Sequence, residues 1–78
     1  MTTLASALNT VFTPSVGTFV AQCSNGIANL ERRGTSGAAW VNVGTIDSGQ
    51  GVIVENPVAG CQYQFVAMSN SPVVQADQ

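Results

Sequence analysis

Apolar and polar positions alternate along this chain in short runs separated by Gly, Asn, Ser and Pro. The clearest run is Cys61–Met68: Cys61, Tyr63, Phe65 and Ala67 share one face, and Gln62, Gln64, Val66 and Met68 the other. A period of two is that of a strand, and it puts Tyr63 and Phe65 inside. Thr18–Cys23 is rich in aromatic and β-branched residues, with Phe19, Ala21 and Cys23 on one face. Asn25-Gly26 follows, a pair that accepts positive φ at both positions, and it predicts a hairpin with the return strand Ile27–Arg32. Ile27 and Leu30 are out of strict alternation, so an irregularity or bulge is expected there.

Arg33–Ala38 reads as a loop, and Ala39–Val43 as a third strand with the sole tryptophan, Trp40, as a core or interface anchor. Thr45-Ile46 extends a strand and Ser48–Gly51 turns. Val52–Glu55 is a strand that Asn56-Pro57 stops. Ser69–Pro72 turns again before a last strand, Val73–Ala76. About six strands at a spacing of roughly 8–12 residues predict an all-β fold, a small antiparallel β-sandwich or barrel.

Residues 1–17 have a different character. They carry no charged side chain, and Pro14 and Gly17 punctuate their end. Leu4 and Leu8 stand four apart, which suggests a short helical turn capped by Thr3. The segment is expected to be either an N-terminal arm beside a β-domain of residues 18–78, presenting Leu4, Leu8, Val11 and Phe12 to a neighbour, or an ordinary edge strand or frayed terminus. No run approaches the ~20 apolar residues of a membrane span. The start lacks the positive region and apolar core of a secretory signal, so synthesis in a cytoplasm is expected.

Composition narrows the choice of partner. The chain has 78 residues, no His and no Lys; its cations are Arg32 and Arg33, and its acids Glu31, Asp47, Glu55 and Asp77. Two adjacent arginines are too few to track a phosphate backbone, which argues against nucleic acid. Ser, Thr, Asn and Gln make up 26 of the 78 residues, so solubility rests on neutral polar groups. A surface with so little charge is poorly protected against association, and a domain of this size has a thin stability margin. Both favour a homo-oligomer.

Little chemistry is available. Glu31 and Glu55 are the one pairing that resembles a glycosidase acid and nucleophile, on a domain too small for a walled sugar cleft. Cys23 and Cys61 fall on apolar faces, where burial disfavours the thiolate, and free buried thiols are expected. Two distant cysteines without histidine make no zinc site, Asp47 stands alone as a calcium ligand, and no lysine follows the glycines of Ser48–Gly51 to make a phosphate loop. No cofactor, metal or catalytic residue is expected, and the chain reads as no enzyme. Arg32-Arg33 either docks an acidic patch or pairs with Glu31 or Glu55 across strands.

The runs Leu30-Glu31-Arg32-Arg33-Gly34-Thr35-Ser36-Gly37-Ala38-Ala39-Trp40 and Glu55-Asn56-Pro57-Val58-Ala59-Gly60-Cys61-Gln62-Tyr63 resemble small β-structured virion proteins of tailed bacteriophages, over about residues 18–78. The turn before Trp40 has Thr35-Ser36 where that pattern often has Asp-Gly. The resemblance implies a capsid decoration (cement) or head-fibre protein on the virion surface. Its partner would be the major capsid protein, and a trimer would suit local three-fold positions. No site residue carries over from it. The alternative reading is a carbohydrate- or peptide-binding β module.

Overall fold

The computed structural model describes residues 1–34 and 36–78. Thr35, within the predicted Arg33–Ala38 loop and the run that carries the resemblance, lies outside the described residues. The described chain forms seven strands: β1 (Thr3–Ala5), β2 (Gly17–Ser24), β3 (Ile27–Arg33), β4 (Val41–Ile46), β5 (Gln50–Asn56), β6 (Gln62–Ser69) and β7 (Val73–Asp77). They build two antiparallel sheets, one ordered β1-β7-β2-β5 and the other β4-β3-β6. The alternation explains the layering. Phe19, Ala21, Cys23, Val74 and Ala76 from the first sheet and Ala28, Leu30, Ile46, Tyr63 and Phe65 from the second fill one buried cluster. The intervening Thr18, Gln22, Ser24, Val73 and Gln75 face water. The 16 Å short axis of the molecule is what two sheets about 10 Å apart and their outer side chains require.

Of the strands adjacent in sequence, only β3 and β4 pair with each other. The Asn25-Gly26 turn therefore does not close a hairpin. It carries the chain from the first sheet to the second, and β2 and β3 lie in different layers. The turn chemistry was legible: Asn25 has φ 57° and Gly26 φ 134°. What the local signal lacked was the pairing, because β2 is already flanked by β5 and β7. The irregularity expected in β3 is present, as register shifts between Ile27 and Ala28 against β6 and between Leu30 and Glu31 against β4.

Residues 1–17 are built into the sandwich. Of the readings open to this segment, the edge strand is the one found: in place of a Thr3-capped helical turn, Thr3–Ala5 pairs with β7, because the edge of β7 offers this segment hydrogen-bond partners that a lone helical turn would lack. The chain then crosses to the other sheet. Asn9 N donates to Phe65 O at 2.8 Å, and Phe12 and Tyr63 exchange backbone hydrogen bonds at 2.9 Å each. The segment starts on one sheet and ends on the outer edge of the other, and so seals one side of the sandwich.

Candidate functional site

The side chains expected to reach a neighbour lie as follows. Phe12 is 5% exposed and sits among aromatic rings, 5.7 Å from Phe19, 5.9 Å from Tyr63 and 5.8 Å from Phe65 by centroid. A ring enclosed by its own core offers nothing to a partner. Leu4 and Leu8 are half-buried against the same cluster. Of the four, only Val11 is exposed. The structure does not bring them together as one outward-facing patch.

Polar side chains fasten the Pro14–Ser15 stretch that leads from this seal into β2. Asn56, the last residue of β5, is fully buried. Its Nδ2 donates to Pro14 O at 3.1 Å and Ser15 O at 3.2 Å, and its Oδ1 accepts from Tyr63 Oη at 3.3 Å. In sequence Asn56-Pro57 reads as a turn; only the fold makes it a buried clasp. Burial pushes the Tyr63 phenol above its ordinary value, although the nearby Arg32 cation pulls the other way.

Arg32 lies on the inner face of β3, in line with the buried Ala28 and Leu30. Its Nη2 donates to Cys61 Sγ at 3.0 Å, and its guanidinium carbon is 6.0 Å from the Tyr63 ring centroid. The bond to the sulfur is the largest cause of a raised Arg32 pKa. Its Nε is buried without a hydrogen-bond partner. Arg33 donates through Nε to Gln62 Oε1 at 2.8 Å and stacks on Trp40, 4.3 Å from the ring centroid. Trp40 is half-buried in the connection ahead of β4 rather than in the core or on a third strand. Arg33 covers one of its faces, which is why an aromatic here needs no deep pocket. The two arginines thus engage Cys61, Gln62 and Trp40. Glu31 instead accepts from Gln64 Nε2 at 2.8 Å.

Cys23 and Cys61 are free, buried thiols. Burial pushes the Cys23 thiol up, which favours the inert protonated form. Among the described residues no three His, Cys, Asp or Glu side chains are grouped to hold a metal ion.

The side of the molecule opposite the sealed end is open. Here β4 ends one sheet and β5 ends the other, and the connection Asp47–Gly49 passes between them. A groove of about 380 Å³ runs between the two strands, with Leu30, Ile46 and Tyr63 among its lining and Arg32 and Glu55 also bordering it. Val52 faces the core side of β5, opposite Ala21 in register, and is still 39% exposed. An inward-pointing valine that reaches water is the mark of an unclosed seam. On the outer face of β5, Ile53 is 77% exposed.

No protein-family model matches the chain, and no curated protein or solved structure matches it.

Proposed function

We propose that the chain is a structural virion protein that binds and stabilises a bacteriophage capsid as a decoration protein. The supporting observation is the surface. Val16, Val41, Ile53, Val58, Met68 and Val73 are each more than half exposed on a chain with only six charged side chains. Scattered surface aliphatics are ordinary, but here so little charge separates them that burial against other proteins is the natural outcome. The likeness of Leu30–Trp40 and Glu55–Tyr63 to small virion proteins supports the choice of assembly. The test is to image tailed-phage particles produced with and without this gene. Added density on the capsid surface and a higher rupture temperature are expected with the chain present. Particles that contain none of it reject the reading.

The open β4–β5 groove favours a second reading, a peptide-binding module, since extended peptides add to exposed sheet edges. A chain missing from purified particles that retains a peptide ligand from a displayed library distinguishes this case.

A further inference from the structure

A two-sheet sandwich has four outer edges, each a row of backbone N–H and C=O groups ready to pair with another strand. Three of the four are guarded in this fold. On the first sheet, β1 is only three residues long and its register against β7 is irregular. On the second sheet, the outer edge of β6 is occupied by Asn9 and Phe12. At the other end of that sheet, β4 is bulged against β3, and its Gly44 N–H is taken by the Asn42 side chain at 3.0 Å.

The fourth edge, β5, has none of these protections. It runs seven residues, Gln50–Asn56, in unbroken register with β2. It contains no proline and no lysine, and its single charge is Glu55 near one end. Ile53 at its centre is the most exposed of the large aliphatic residues apart from Met1.

We propose that β5 is a self-association edge, and that two copies of the chain pair antiparallel through it to join their four-stranded sheets into one. The sequence of the strand specifies the register. A two-fold axis beside Ile53 sets Ile53 against Ile53, Val52 against Val54, and Gly51 against Glu55 of the second copy. Every central pair is then β-branched, the kind that stabilises antiparallel ladders. The two glutamates lie at opposite ends, each facing a glycine. The arrangement is isologous, so it closes at two copies instead of growing into a fibre. It also covers the exposed flank of Val52, which the monomer leaves open to water.

One strand edge covers less than the roughly 800 Å² per partner of a standard interface. The dimer is therefore weak and concentration-dependent. This inference stands apart from the virion reading and is tested on the purified chain. Sedimentation equilibrium is expected to show a monomer–dimer system. Ile53→Lys places like charges face to face and is expected to weaken the dimer at least tenfold while circular dichroism stays unchanged, since the side chain is outside the core. Ile53→Cys is expected to cross-link the dimer under mild oxidation, with Val16→Cys, exposed elsewhere, remaining uncross-linked. A chain that stays monomeric up to about 1 mM overturns the proposal. So does open-ended aggregation, a dimer indifferent to Ile53→Lys, or an Ile53→Cys variant that cross-links no more than Val16→Cys.

Discussion

Tyr63 donates its hydroxyl hydrogen bond to Asn56 across the two layers, Oη to Oδ1 at 3.3 Å, and Asn56 in turn holds the backbone of Pro14 and Ser15. One buried amide thereby joins β6, β5 and the N-terminal segment. Removing the amide strands the Tyr63 phenol and the Pro14 carbonyl, Ser15 O keeping its bond from Gln78 Nε2 at 3.0 Å, while removing the phenol strands only one lone pair. Asn56→Ala is expected to cost about 2–4 kcal/mol and Tyr63→Phe about 1 kcal/mol. Urea denaturation of the two variants checks the ranking; equal losses would mean that the Pro14 and Ser15 bonds contribute little.

Phe12 closes the aromatic cluster. Phe12→Ala removes a ring packed against three others and is expected to cost about 3–5 kcal/mol. Val11→Ala, one residue away but exposed, should change stability by no more than about 0.5 kcal/mol. Deleting residues 2–13 is expected to unfold the protein, because it removes β1 together with the seal on β6. A deleted chain that keeps its thermal transition would show that the segment is an appendage after all.

Gly26 lies in the crossing between sheets, and a Cβ added to it would lie 2.8 Å from Ser69 O. The backbone there is also in a region that side chains avoid. Gly26→Ala is expected to destabilise by about 2 kcal/mol or more. Gly44 provides the contrast, with nothing within 4 Å of its added Cβ. Gly44→Ala should be neutral or stabilise by up to about 1 kcal/mol through the unfolded state. Melting temperatures of the pair test whether backbone contact, rather than loss of glycine itself, sets the cost.

Cys23 and Tyr63 both have raised pKa values in the folded chain because burial disfavours their anions. When the unfolded thiol and phenol begin to ionise, at about pH 8.5 and 10, the folded groups still hold their protons. The unfolded state then binds fewer protons than the native state, so stability falls as pH rises. Their contribution is complete below about pH 8 and is lost progressively above it. Urea midpoints measured from about pH 7 to 10.5, the range that spans both ionisations, should decline, and Cys23→Ala should flatten the early part of that decline. A midpoint that rises with pH over this range contradicts the assignment.

The inner faces of β2 and β6 were legible in sequence because each buries alternate residues, and period two is a local signal. Tyr63 and Phe65 are inside as their spacing requires. The N-terminal segment was less readable. The four-residue spacing of Leu4 and Leu8 mimics a helix, while the true determinants are the free edges of β7 and β6, far away in the chain. Phe12 looks like a sticky surface residue until Tyr63 is beside it. Of the two roles its size suggests for Trp40, core or interface anchor, the core one is not found: it is half-buried, with Arg33 over one face. The open β4–β5 seam had no sequence signature, since it arises from two strands that end different sheets.

The seal at the N-terminal end also determines when the molecule can form. Residues 1–12 leave the ribosome well before their partners, Tyr63, Phe65 and the strand Val73–Asp77. Until those emerge, an uncharged, apolar stretch has nothing to pair with, and the first sheet lacks β7, which joins β1 to β2. Folding is thus deferred until β7 has been made, and it depends on contacts remote in sequence, the slow regime for small domains. The nascent protein spends that interval with Leu4, Leu8 and Phe12 uncovered, so the exposure that favours aggregation arises during synthesis and not in the folded molecule.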